Sequence, residues 1–224
     1  TGGVSITAGL DSNGQCKIKV TIGPAKWGEV LDVKVLTETG ILLSATGSQE
    51  SNRWRIDMLA QDERTVSFDC QLDPDRVSGS GEYVVRTSVF YADSGSLYDH
   101  ANAKLMVVQK PDEGWRILKD RSGDAMFTRD YQAGQMGISC DINLDGTGQP
   151  PAGMMYIKLD SSSDNYAPEL ILETKGGIQF NNNGTQSALV QTIDPKQVRA
   201  KFGPIMAGGS RIIYVPFDFD RESL

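Results

Sequence analysis

The sequence predicts an all-β protein made of two tandem antiparallel β-sandwich units. Three observations predict it. Apolar and polar residues alternate with period two along much of the chain, the pattern of strands with one dry and one wet face. Turn-forming groups interrupt these runs at short intervals: Ser12-Asn13-Gly14, Gly23-Pro24, Thr39-Gly40, Ser51-Asn52 and Asp73-Pro74. No stretch carries a three-turn apolar stripe at helical spacing.

The first half supplies a full set of strands. Residues 15–22 put Cys16, Ile18, Val20 and Ile22 on one face and Gln15, Lys17, Lys19 and Thr21 on the other. Residues 29–37 set Leu31, Val33 and Val35 against Asp32 and Lys34. Trp54, Ile56 and Met58 alternate with Arg55 and Asp57, and Val66, Phe68, Cys70 and Leu72 with Ser67, Asp69 and Gln71. Residues 83–91 are apolar enough for a central strand, and 103–109 close the set. The polar run Lys110-Pro111-Asp112-Glu113-Gly114 then predicts a boundary, giving units 1–109 and 110–224. A single larger β domain is the alternative.

The second half starts afresh. Residues 137–144 place Ile138, Cys140, Ile142 and Leu144 inward. Further strands are expected at 154–159, 169–174 and 211–219, with a fainter pattern at 187–193. Asn181-Asn182-Asn183-Gly184 reads as a turn. Asp194-Pro195 opens a stretch through Arg199 that is expected to be a short helical turn or a loop. Pro216 lacks a donor, so the last strand is expected at a sheet edge or to end there.

Composition narrows the function classes. The 22 Lys and Arg are scattered and outnumbered by 29 Asp and Glu, for a net charge of −7. Nucleic-acid binding needs a clustered basic footprint, so it is disfavoured. No run approaches the ~18 apolar residues of a membrane span. The start, Thr1-Gly2-Gly3-Val4, lacks an initiator Met and signal-peptide regions and reads as a processed end. The three cysteines, Cys16, Cys70 and Cys140, form no CxxC, and His100 is the single histidine, which argues against a zinc site.

Ser80-Gly81-Glu82-Tyr83-Val84-Val85-Arg86 resembles the tyrosine corner of immunoglobulin-like and fibronectin-like sandwiches, a Gly two residues before the Tyr that begins a long apolar strand. The likeness covers residues 1–109 and is one of architecture. Val85 stands where antibody-type domains carry their second core cysteine. Trp27 follows Cys16 at a distance suited to the core Trp but precedes the predicted third strand. The resemblance implies that the Tyr83 hydroxyl bonds back to the chain and that Cys16 and Cys70 face inward on neighbouring strands. Two buried free thiols are the favoured reading of that pair. A disulfide, implying an oxidising compartment, is the alternative. Cys140 is expected to be a core thiol.

Asp141, Asn143 and Asp145, followed by Gly146, match the opening of a calcium loop. The loop's twelfth position holds Ala152 instead of an acid, so a strand with a polar face running into an Asp-Gly turn is the preferred reading. Acidic neighbours such as Asp62 with Glu63, Asp73 with Asp75 and Asp218 with Asp220 have the chemistry of a glycosidase pair, but acid pairs are common on any acidic surface. His100 beside Asp99 reads as a solvated side chain. No nucleophile elbow or phosphate loop is present. Ala207-Gly208-Gly209-Ser210 reads as a turn.

Trp27, Trp54, Trp115, Tyr91, Tyr98, Tyr131, Tyr156 and Tyr166 could supply a sugar or partner platform, though core packing is the usual fate of such rings. Asn183-Gly184-Thr185 is an acceptor for N-glycosylation if the chain is secreted. No residue is assigned a catalytic, cofactor-binding or metal-ligating role, and no cofactor is expected. The function expected first is a non-enzymatic structural or adhesive module of a cell-surface, secreted or virion assembly, acting through a protein partner or self-assembly. Its contacts are expected at edge strands or loop tips, with the last strand as one candidate. A carbohydrate-binding module ranks second, and an exposed coplanar aromatic pair would be its sign. A glycoside hydrolase or protease with a dispersed site ranks third.

Overall fold

The computed structural model describes residues 3–45, 53–110, 114–117, 129–133, 136–145, 152–164, 167–181 and 190–220. The regular elements among them are all strands, arranged in four antiparallel sheets. No helix among the described residues is long and apolar enough to cross a membrane. The chain divides into two compact units. The first comprises Thr1–Val77, Tyr83–Val107 and Trp115–Asp120; the second comprises Ser78–Glu82, Val108–Gly114 and Arg121–Leu224.

The first unit is built from β1 (Gly3–Leu10), β2 (Cys16–Gly23), β3 (Glu29–Thr37), β4 (Ile41–Ala45), β5 (Arg53–Met58), β6 (Arg64–Leu72) and the greater part of β7 (Gly81–Tyr91), β8 (Leu97–Lys110) and β9 (Gly114–Ile117), of which residues 81–82, 108–110 and 114 fall to the second. One sheet runs β1-β2-β6-β4, the other β5-β3-β7-β8-β9. Their inner faces share one core, with Ile18, Val20 and Phe68 from the first sheet and Leu31, Val33 and Tyr83 from the second. Each aliphatic side chain so buried contributes roughly 1.5–3 kcal/mol.

The alternation read from β2 and β3 holds: Cys16, Ile18, Val20 and Ile22 are buried and Lys19 is exposed. β1 and β4 were not expected. In β1 the residues Val4, Ile6, Ala8 and Leu10 pack on the core, while Ser5 and Thr7 stay exposed.

Cys16 and Cys70 are joined by a disulfide, with Cα atoms 5.2 Å apart, which corrects the expectation of free thiols. The cause is register. Lys17 faces Asp69 across β2 and β6, so the next rung sets the two cysteines opposite each other on the dry face. On the wet face of the adjoining rung Lys17 and Asp69 form an ion pair. Just beyond β3, Glu38 is buried, and its Oε2 accepts the Val84 N–H at 2.5 Å.

The second unit contains β10 (Arg129–Ala133), β11 (Met136–Asp145), β12 (Ala152–Ser161), β13 (Glu169–Glu173), β14 (Ile178–Phe180), β15 (Val190–Asp194), β16 (Gln197–Lys201) and β17 (Ser210–Phe219). A five-stranded sheet, β10-β11-β12-β17-β14, lies over a three-stranded one, β13-β16-β15. Ile157, Val215 and Phe217 meet Val198 and Ala200 in their common core. The all-β architecture of antiparallel sheets is compatible with a β-sandwich.

Three expectations for this unit are overturned. The stretch expected as a helical turn or loop pairs instead as β16, burying Val198 and Ala200 and turning Lys201 outward. Ile142 and Leu144 continue the inward parity of β11 yet are 51% and 57% exposed. Pro216 does not mark an edge: β17 lies between β12 and β14.

The reason is parity. The Pro216 carbonyl accepts Asn181 N–H at 3.2 Å on the β14 side. A strand residue directs its N–H and C=O to the same side, so the missing donor also faces that way, where β14 ends at Phe180. The ladder to β12 loses nothing.

At the start of β17, Arg211 is fully buried. Its Nε donates to Ser78 O at 2.9 Å, and its Nη1 donates to Ser210 O at 2.8 Å and Glu82 O at 3.3 Å. Ile212 N–H donates to Ser80 O at 2.7 Å. Gly81, with φ +151°, lies so close to Ser210 O that any Cβ would overlap it. This main-chain approach explains the glycine before Tyr83.

Candidate interaction surface

Two loops at one end of the first unit are tied by main-chain bonds. Ala25 N–H donates to Asp62 O at 2.9 Å and Gln61 N–H to Ala25 O at 2.7 Å. Gln61 takes a left-handed conformation, φ 69°, and Asp62 Oδ2 accepts both Leu59 N–H and Arg64 Nη2, each at 3.2 Å. The loops hold two large apolar side chains in solvent: Trp27 is 65% exposed and Leu59 71%. The Lys26 ammonium lies 5.4 Å from the Trp27 ring centroid. Core packing, the usual fate of tryptophan, is thus not the fate of Trp27.

The outer face of the β5-β3-β7 region adds Val30 and Leu36, both partly exposed, around an ionic cluster. Arg55 grips Asp32 with Nε at 2.8 Å and Nη2 at 3.1 Å, and Arg53 stands at 3.6 Å. The Arg55 hydrogen bond holds the Asp32 carboxyl below the ordinary aspartate range and in turn raises the guanidinium.

Among the described residues, the other rings singled out in the sequence are engaged. Trp54 tilts against Phe68 in the core, and Tyr91 meets Tyr98 edge-on. In the second unit Tyr156 meets Tyr214 edge-on across β12 and β17, and burial raises the Tyr214 phenol. These pairs among the described residues are tilted or perpendicular, with no flat platform in them. The side chains of Trp115 and Tyr131, and all of Tyr166, lie outside the described residues, as does Asn183-Gly184-Thr185.

The candidate polar groups are spread out. Asp141, Asn143 and Asp145 sit along β11. An extended backbone spaces alternate residues about 7 Å apart, whereas a calcium loop wraps its oxygens at about 2.3–2.6 Å from one ion. Residues 146–151 lie outside the described residues. Asp99 divides its carboxylate between His100 N–H and Val4 N–H, at 2.8 and 2.9 Å, and His100 is exposed. Asp73 caps Asp75 N–H, and Asp218 accepts Asn181 Nδ2. Among the described residues no group of three or more His, Cys, Asp or Glu is placed to hold a metal.

Sequence reasoning missed Leu59 and the whole of β1. The signal for β1 was present as strict alternation from Val4 to Leu10. Leu59 carried none, because its exposure follows from the loop pairing. Comparison of the chain with known protein families and with curated proteins finds no match.

Proposed function

We propose that this chain is a non-enzymatic structural or adhesive module of a cell-surface, secreted or virion assembly, working through protein–protein contacts. It is built as tandem β-sandwiches, the first immunoglobulin-like. The observation that carries this reading is the pair Trp27 and Leu59, held in solvent by loops that are themselves hydrogen-bonded to each other. A tryptophan on a fixed support gains more from a partner's burial than a mobile one, because less ordering remains to be done on contact. The Cys16–Cys70 disulfide supports an oxidising compartment. Buried Tyr83 behind Gly81 supports the immunoglobulin-like reading, although β4, beside β6, precedes β5, beside β3.

The test is a photo-crosslinking amino acid at position 27 in the cells or particles that make the chain. Discrete protein adducts in the surface, secreted or particle fraction are expected. Uncrosslinked chain confined to the cytosol would overturn the reading. A carbohydrate-binding role has one observation in its favour, the exposed Trp27 indole. It calls for a saturable change in tryptophan fluorescence with a soluble glycan, lost in Trp27→Ala.

A further inference from the structure

An edge strand offers unpaired N–H and C=O groups to any strand that reaches it, and proteins ordinarily blunt such edges with charge, proline, bulges or brevity. Most edges here are blunted. β5 carries Arg53, Arg55 and Asp57, and β10 carries Arg129 and Asp130. β13 carries Glu169 and Glu173, and β15 has a register shift between Thr192 and Asp194. β14 is three residues long and β4 five.

β1 differs from all of these. Its eight residues, Gly-Val-Ser-Ile-Thr-Ala-Gly-Leu, contain no charge and no proline, and they pair with β2 without a break in register.

Parity shows which groups are open. Asp11 N–H donates to Gln15 O at the hairpin, so the odd-numbered residues of β1 bond to β2. The even-numbered residues, Val4, Ile6, Ala8 and Leu10, direct their main-chain groups outward. Asp99 Oδ2 already caps Val4 N–H at 2.9 Å. Among the described residues, Ile6, Ala8 and Leu10 are left as an open run centred on Ala8.

We propose that β1 is a self-pairing edge: two copies of the chain join β1 to β1 antiparallel about a two-fold axis at Ala8. In that register Ala8 faces Ala8 and Ile6 faces Leu10, each pair exchanging two main-chain bonds. Thr7 faces Gly9 on the outer surface. The pairing continues the sheet β1-β2-β6-β4 into its copy and uses all three open residues. A second copy is the favoured occupant because β1 is neutral throughout. Two neutral edges meet without repulsion, and the register that uses the open groups is symmetric. The inference deepens the assembly reading by naming one of its contacts.

Two variants of the full chain test it by sedimentation velocity across a concentration series. Ala8→Pro removes the central donor, which faces away from β2, so the native ladder is kept. Gly9→Lys adds a charge on the outer surface, where a Cβ would meet nothing within 4 Å. Wild type is expected to dimerise reversibly, and each variant to raise the dissociation constant by about tenfold or more, with circular dichroism and melting unchanged. A monomeric wild type overturns the proposal, as does dimerisation that Gly9→Lys leaves intact in a folded protein. Either failure leaves the crosslinking result at position 27 standing, whereas loss of those adducts would remove the assembly reading itself.

Discussion

The first unit buries a carboxylate against a main-chain N–H, and the second buries a guanidinium against main-chain carbonyls. Glu38 receives Val84 N–H where the chain leaves β3. Arg211 donates to Ser78, Glu82 and Ser210 carbonyls where the chain enters β17. In both places a main-chain group lies away from water and outside any ladder, and such a group must find a partner. The sign of the buried side chain follows from which half of the peptide was orphaned. The units differ in what else holds them. A covalent bond ties β2 to β6 in the first; the cysteine of the second, Cys140, has its Sγ by the Asp141 carbonyl and is no part of that bond.

Breaking the second unit's anchor should have the largest effect. Arg211→Met keeps much of the volume but strips the donors from three carbonyl oxygens. Each unsatisfied buried acceptor costs about 1–3 kcal/mol, so a loss of about 3–5 kcal/mol is expected. Hydrogen exchange should show protection falling in β12 and β17 while β2 and β6 keep theirs. An equal fall in both units would show that the two anchors are not separable.

The disulfide comes next. Cys16→Ala with Cys70→Ala opens a loop whose ends are 54 residues apart, and the first unit should lose about 2–4 kcal/mol. The second unit should keep its exchange protection. A thiol assay of denatured, unreduced wild type should find Cys140 alone. Additional thiols would return Cys16 and Cys70 to the free state first expected of them.

These anchors were only partly legible in the sequence. β2 and β3 were readable because one face is wet, so Lys19 and Lys34 punctuate the apolar series. β1 carried the same alternation, with Ser5 and Thr7 in place of lysines. β16 was misread because Asp194-Pro195 mimics the start of a helix, and two buried residues, Val198 and Ala200, are too few to establish a period. Pro216 misled because the rule about strand prolines depends on which side the donor would face, and that needs both neighbours of β17. The surface was the least legible part. An edge exists only once strand order is known, and Trp27 carries nothing in its identity that says outward.

The smallest effect concerns the ionic cluster on the first unit's outer face and sharpens what counts as an anchor. Arg55 holds Asp32 below its ordinary range, and main-chain N–H groups, chiefly Gln15, do the same to Asp11. With a folded-state pKa below the unfolded one, the unfolded chain takes up the proton first as pH falls. The stability each group adds is therefore present above the ordinary aspartate value of about 3.9 and lost as pH drops through the lower folded value. Asp32→Asn should flatten the acid limb of the first unit's unfolding curve and leave neutral-pH stability nearly unchanged, since the pair sits at the surface. Salt separates the two carboxylates. At 1 M the Debye length falls to about 3 Å, so the Asp32 contribution should shrink. That of Asp11, whose bonds to Asn13 and Gln15 N–H are local and short at 2.8 and 2.9 Å, should persist. An acid limb equally salt-sensitive in wild type and Asp32→Asn would mean that the pairing of Asp32 with its arginines does not shape that limb.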